Sequence, residues 1–279
     1  MTVPHNGRWK KPLVLLIGVG MAAVAAQPVA TAADAPVKAP TASAAAPVSS
    51  YDDTYYEGAI GKTGDELKSA LNEIISSDVT KLSYSQVWDA LKVTDRDPDN
   101  SGNVILLYTG RSQSADSNGG GVGQWNREHV WAKSHGGFGT SVGPGTDVHH
   151  LRPADVQVNS VRGNKDFDEG GTEVDGAPGN FTDSDSFEPR DEVKGDVARM
   201  ILYMAVRYEG GDGPDLEVND SVNNGSKPLL GRLSVLKAWN DEDPPDSFEK
   251  QRNQVIYDEF QHNRNPFIDH PEWVDEIWG

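Results

Sequence analysis

The sequence predicts an α+β fold that is mainly helical and carries a small antiparallel sheet. Two observations lead there. Apolar residues recur at helical spacing through much of the chain from residue 63 onward. Two short strand-like runs, NVILLY (103–108) and QWNREHV (124–130), are separated mainly by a Ser- and Gly-rich stretch (112–123). That is the pattern of an antiparallel pair joined by a loop. No internal repeat is present.

The elements follow in order. Thr63 and Glu66 have the spacing of a capping box, and they open a helix with Leu67, Leu71, Ile74 and Ile75 on one face. Residues 85–92 (SQVWDALK) read as a second helix, and 95–102 as a polar turn before the first strand. A Gly-rich loop runs from 136 to 146. Pro153 suits the first position of a helix carrying Ala154 to Val161. Residues 170–190 are acidic and Gly-rich and read as loop. The run DVARMILYMAVRY (196–208) is a strongly apolar helix, expected at the centre of the core. Amphipathic helices over 229–239 and 247–260 and a short final helix over 271–278 complete the chain.

The first 32 residues stand apart. Arg8, Lys10 and Lys11 precede an apolar run from Leu13 to Ala26, and small residues at 30–32 suit signal-peptidase cleavage. The reading is a secretory signal peptide, too short in its apolar run for a retained membrane span. Residues 33–50 are mostly Ala, Pro, Ser and Thr with almost no large apolar side chain, and read as a disordered linker. The folded domain is expected over 51–279. The chain has no cysteine, so its stability cannot rest on disulfides. Net charge is −18, and loss of the three basic residues of the leader takes it to −21. Such a chain is a poor passive binder of polyanions. Residues 125–165 differ: five Lys or Arg against three acids make them locally basic.

Four of the seven histidines fall within 129–150: His129, His135, His149 and His150. No H-E-x-x-H or comparably tight ligand spacing accompanies them, which argues against a zinc hydrolase. Asp95, Asp97 and Asp99 mimic the start of a calcium loop, but Asn100 and Leu106 stand where such a loop needs Gly and Glu. Trp125 and Trp131 read as core. The pair Glu128–His129 at a strand end, with Asn159 on the following helix, is more informative. A carboxylate and an amide oxygen are hard donors that suit magnesium. A neutral histidine beside them can take a proton from water.

The stretch WNREHVWAKSHG (125–136), followed by DVHHLRPADVQVNSVRGNKDF (147–167), resembles the bacterial endonuclease I family. These are periplasmic or secreted non-specific nucleases with a ββα-metal (His-Me) finger. NVILLYTGRS (103–112) and RNPFIDHPEWVDEIW (264–278) resemble it too, so the likeness spans roughly 51–279. It implies Glu128 and Asn159 as metal ligands and His129 as general base. It implies water attack on phosphorus, 5′-phosphate products, and cleavage of both DNA and RNA. The expected cofactor is Mg2+, with Mn2+ or Ca2+ as substitutes; the expected state is a secreted monomer that does not engage a membrane. Some relatives carry a cysteine-containing insertion with a phosphate-binding arginine between the two blocks. Only 17 residues lie between His129 and Asp147 here, and that arginine has no aligned counterpart. Arg162 is the first substitute, taken as catalytic, with Arg127 and Arg152 behind it. His149, Asp147, Arg127 and Asn164 are read as supporting residues, and His135 and His150 as structural or substrate-contacting. The alternative is a catalytically silent nucleic-acid-binding relative; an intact His129 speaks against it.

Overall fold

The computed structural model describes residues 54–279. The leader and linker assigned to 1–32 and 33–50 lie outside the described residues. Helix α1 (Gly64–Ser76) buries Leu67, Ala70, Leu71 and Ile75, the stripe its spacing required. The capping box expected at its start does not form, because Thr63 makes no side-chain cap bond. A reciprocal cap stands instead before α2 (Gln86–Thr94). The Gln86 side chain accepts from Ser83 N–H at 2.8 Å, and Ser83 Oγ accepts from Gln86 N–H at 3.4 Å. This fixes Tyr84 at the mouth of α2, one turn before Trp88.

Three short strands follow: β1 (Arg96–Asp97), β2 (Asn100–Ile105) and β3 (Ser112–Ser114), an antiparallel sheet in the order β1-β2-β3. The strand predicted over 103–108 therefore starts earlier and ends at Ile105. It does not pair with residues 124–130. Both edges of β2 are taken by its chain neighbours. Strand β4 (Trp125–His129) pairs with β5 (Leu151–Asp155), from Trp125 opposite Asp155 to His129 opposite Leu151.

Pro153 thus lies in β5 and not at a helix start. Val130 N–H bonds His150 O, and Val156 N–H bonds Gln124 O. By the antiparallel alternation, Pro153 and Arg127 then form a non-hydrogen-bonded pair, where a missing N–H costs the ribbon nothing. The helix α3 (Val156–Arg162) begins where Asp155 caps it, accepting from Gln157 N–H at 2.8 Å and Val158 N–H at 3.2 Å. It ends at Gly163, whose φ of 62° suits only glycine well.

The acidic stretch expected to be loop holds part of a four-stranded sheet. Strands β6 (Asp166–Phe167), β7 (Thr172–Glu173), β8 (Phe181–Thr182) and β9 (Ser186–Glu188) lie in the order β6-β9-β8-β7. Two- and three-residue strands are too short to print an alternation. Helix α4 (Lys194–Arg207) is buried from Gly195 to Arg207, as its apolar run predicted. Gly195 is required there, since a Cβ would stand 1.9 Å from the Asp243 carbonyl. Strands β10 (Glu217–Val218) and β11 (Leu229–Leu230) pair in parallel, so the first residues of the helix predicted over 229–239 are strand. Helices α5 (Leu233–Glu242), α6 (Ser247–Val255), α7 (Pro266–Asp269) and α8 (Trp273–Trp278) follow, with a π-helical turn over Ile256–Phe260 after α6.

Two apolar clusters result, a large one around α4 and a smaller one around α2, β2 and the Trp125 side chain. The β4–β5 ribbon lies between them. Trp125 and Leu151 enter the smaller cluster; Val130, Trp131, Ala154 and Val158 enter the larger. Both tryptophans are core, as expected. Buried ion pairs knit the same region. Arg152 bonds Asp95 at 2.5 Å and Asp196 at 3.1 Å, and Arg252 bonds Asp95 at 3.2 Å. Asp95 is thereby committed inward, which removes it from any calcium loop, and Arg152 from any phosphate.

Candidate active site

Strand, strand and helix β4, β5 and α3 border a cleft of about 570 Å³. The two-residue period of β4 divides its side chains. Asn126 and Glu128 turn toward α3, where they meet Asn159 and Arg162. Arg127 and His129 turn toward Tyr84. All four border the cleft, together with Lys133, Asn159 and Asn164.

Glu128 is 2 % exposed. Its Oε1 accepts from Tyr108 Oη at 2.8 Å and from Arg162 Nη1 at 2.8 Å. Burial pushes the carboxyl up, and the Arg162 charge with the two hydrogen bonds opposes that. Its second oxygen accepts no hydrogen bond among the described residues. Asn159 donates its Nδ2 to Asn126 Oδ1 at 2.7 Å, and its Oδ1 accepts no hydrogen bond among the described residues.

His129 lies 3.1 Å through Nε2 from the Gly145 carbonyl. A carbonyl only accepts, so Nε2 carries the proton and Nδ1 of the neutral ring is a lone-pair acceptor. Burial, with the neighbouring His150 ring adding to it, holds the imidazole down to about 3. The ring is therefore neutral at pH 7. His150 is its neighbour at 5.7 Å between ring centres. Its own Nε2 bonds the Pro144 carbonyl at 2.7 Å while Nδ1 accepts from Trp131 N–H at 3.3 Å.

The remaining expected residues fall in different places. Arg162 is fully buried and does not border the cleft. Its Nη1 bonds Glu128 and the His129 carbonyl (2.7 Å), and its Nη2 bonds the Val130 carbonyl (2.6 Å). It ties α3 to the end of β4 from behind, where the contact with substrate phosphate expected of it is not available. His149 faces away from His129: its Nε2 meets Asn263 at 3.2 Å and its ring packs on Tyr203. Asp147 ties the loop before β5 to α4, accepting from Tyr203 and Tyr208 hydroxyls at 2.9 and 3.0 Å. Burial raises its carboxyl, but His149, His150 and Gln261 outweigh burial and hold it below the ordinary aspartate value. Asn164 donates to Ser134 Oγ at 3.2 Å on the far wall. His135 is buried between the Leu229 and Asn164 carbonyls.

Sequence reasoning missed Asn126, Tyr108, Tyr84, Trp88 and Lys133. Two signals were present. Asn126 is two residues before Glu128 on one strand, hence on its face. Tyr84 and Trp88 are four apart at a helix start, hence stacked one above the other. Tyr108 carried no such signal.

Comparison with known proteins bears on the domain as a whole. The endonuclease I family profile matches residues 63–272. The chain is 69% identical over 239 residues to an extracellular ribonuclease of Bacillus amyloliquefaciens, covering 85% of this chain and 82% of that one. It is 70% identical over 239 residues to an extracellular ribonuclease of Bacillus subtilis (strain 168), covering 85% and 83%. An extracellular deoxyribonuclease of Aeromonas hydrophila is 30% identical over 132 residues, 44% of this chain and 49% of that one. With the profile spanning every described element but the last helix, α8, and the strand–strand–helix cleft in place, the chain belongs to the endonuclease I family.

Proposed function

We propose that the protein is a secreted nuclease that hydrolyses phosphodiester bonds of both DNA and RNA, with His129 as general base and Glu128 and Asn159 as ligands of a magnesium ion. The observation that carries this is the state of His129: Nε2 is committed to the Gly145 carbonyl, so the neutral ring keeps Nδ1 as its acceptor and lines the same cleft as Glu128 and Asn159. The donor set fits a hard cation. Glu128 spends one oxygen on Tyr108 and Arg162 and keeps the other, and Asn159 spends its Nδ2 on Asn126 and keeps its amide oxygen. The ion, when bound, stabilises charge on the phosphate and on the leaving oxygen; Mn2+ or Ca2+ are its natural substitutes.

His129 Nδ1 takes a proton from a water as its oxygen bonds to phosphorus. The P–O3′ bond breaks with its electron pair on the 3′ oxygen, which takes a proton from solvent water, and the phosphate stays on the 5′ side. The Gly145 carbonyl steadies the imidazolium formed in that step. Arg162 acts by holding Glu128 and the end of β4. A sugar 2′-hydroxyl has no part, which is why both nucleic acids are substrates. The names of the relatives, ribonuclease at 69–70% identity and deoxyribonuclease at 30%, support a cleft that admits either. Secretion is supported by the same names, extracellular in each case, and by the leader. Among the described residues no helix is long and apolar enough to cross a membrane. The protein acts as a monomer.

The test is to incubate residues 33–279 with plasmid DNA and with total RNA, each with magnesium or EDTA, and to identify the product ends. Degradation of both, stopped by EDTA, with 5′-phosphate ends, is the expected result. No degradation with any divalent ion would move the silent, nucleic-acid-binding reading to the front.

A further inference from the structure

The arginines of this acidic chain are nearly all spent on carboxylates. Arg152 and Arg252 pair with Asp95, Arg162 with Glu128, Arg199 with Glu249 and Arg207 with Asp212. Arg111, Arg190, Arg232 and Arg264 are paired as well. Among the described residues only Arg96, which is exposed, and Arg127 make no such pair. Arg127 is half-buried and borders the cleft. Its guanidinium carbon lies 3.4 Å from the ring centre of Tyr84 and 4.0 Å from that of Trp88. Nη1 donates to the Tyr84 carbonyl, and Nε is buried without a partner. A half-buried cation with two aromatic neighbours, a tether and no counter-charge is an incomplete site for an anion.

The rings bear on what that anion is. Tyr84 holds Arg127 and is also stacked on His129, 5.9 Å away and 28° from parallel. Trp88 holds Arg127 and meets Trp125 edge-on at 5.1 Å. Stacking a nucleobase needs a free aromatic face, and these rings are already engaged. Arg127 and His129 are two residues apart on one face of β4, about 7 Å along the strand. An anion held by Arg127 is thus within reach of the base.

We propose that Arg127, clamped between Tyr84 and Trp88, binds the phosphate that His129 serves, and that the two rings position the guanidinium and do not read bases. The ligand is a nucleic-acid backbone phosphate, and recognition is indifferent to the base. This rests on the nuclease reading of the cleft and adds the group that orients the substrate. The flat fork of arginine matches phosphate in a way an ammonium does not, so lysine should not replace it.

The experiment measures binding of fluorescent oligo-dT and oligo-dA to the purified protein in EDTA, over a range of salt, beside cleavage in magnesium. Arg127→Ala and Arg127→Lys should each weaken binding on the order of 10–100-fold. Arg127→Ala should also lower the slope of log Kd against log salt by about 0.7. Tyr84→Leu should weaken binding with Arg127 still present, and Tyr84→Phe should restore it. The two oligonucleotides should bind alike. Wild-type affinity in Arg127→Lys, whose long stem keeps the packing, would overturn the proposal even if the alanine variant folds poorly. A strong base preference removed by Trp88→Ala would overturn the role given to the rings. A wild-type protein that binds without cleaving would sink the nuclease reading alone; one that cleaves, with Arg127→Lys unaltered, would sink this inference alone.

Discussion

Replacing Arg162 by Met separates a substrate ligand from a residue that holds the site together. The side chain is fully buried and donates to Glu128 Oε1 at 2.8 Å, to the His129 carbonyl at 2.7 Å and to the Val130 carbonyl at 2.6 Å. Met fills much of the volume and makes none of these bonds. Glu128 then keeps only the Tyr108 hydroxyl on that oxygen. Breaking one side of a buried pair costs about 3–5 kcal/mol. The two carbonyls left without a donor belong to the same loss and are not added to it. For a domain of this size about 4 kcal/mol lowers the Tm on the order of 10 °C. The Glu128 carboxyl, already pushed up by burial, loses the charge that opposes burial and rises further. Magnesium would then have to displace a proton, so half-maximal activity needs more metal and shifts toward higher pH. Thermal unfolding followed by circular dichroism, with a magnesium titration of cleavage at two pH values, reads both effects. A variant that melts within about 2 °C of wild type while losing cleavage at every magnesium concentration would refute the reasoning, and would mean that Arg162 reaches substrate after all.

Other consequences follow from the same contacts. Asn159→Ala should raise the magnesium needed for half-maximal cleavage while leaving the Tm nearly unchanged, because the side chain is half-exposed and bonds only Asn126; an unaltered magnesium titration would remove Asn159 from the ligands. His149 and His150 are buried and held down to about 4, against about 6.5 for a free imidazole. The folded state prefers both rings neutral, so stability is full above about pH 6.5 and is lost as pH falls toward 4, by up to about 3 kcal/mol for each ring. Urea unfolding at pH 7 and pH 4.5 should show that loss, and equal midpoints at both would contradict it. Asp95→Asn leaves Arg152 and Arg252 without their shared carboxylate in the interior, and should cost about 3–5 kcal/mol in the same assay; a change below about 1 kcal/mol would mean that water or Asp196 takes its place.

The parts of the fold legible in the sequence were those with long, uninterrupted periodicity. The α4 run was readable because thirteen consecutive residues are buried, and α1 because its apolar stripe repeats over three turns. Strand pairing was not readable. The run at 124–130 is a strand, but its partner lies beyond a Gly-rich loop, and the nearer candidate, β2, is already closed on both sides by shorter connections. Pro153 misled for a physical reason: the position it can occupy in a two-stranded ribbon looks, in sequence, like the first turn of a helix. Thr63 and Glu66 have the capping-box spacing but form no cap, whereas Ser83 and Gln86 form one and set Tyr84 against the cleft.

In the site, Glu128, His129 and Asn159 were legible from residue type and spacing, and the structure brings them to one cleft. The arginines were not. Arg162 sits in the motif-rich segment, yet its position at the end of α3 turns it inward under β4. Arg127 looked like the lesser candidate, because nothing in a sequence says that its neighbours in space are two aromatic rings and no carboxylate. His149 and His150 are adjacent in sequence, and only the turn into β5 decides that His150, and not His149, meets His129.

The most direct test of the account is to compare wild type and His129→Ala in one pair of assays: calorimetric titration with magnesium, and cleavage of plasmid DNA in the same buffer. The variant should bind magnesium as wild type does, since Glu128 and Asn159 remain, while its cleavage rate falls by at least about 100-fold. Cleavage at the wild-type rate would remove His129 as the base, and loss of magnesium binding together with cleavage would make it a metal ligand instead.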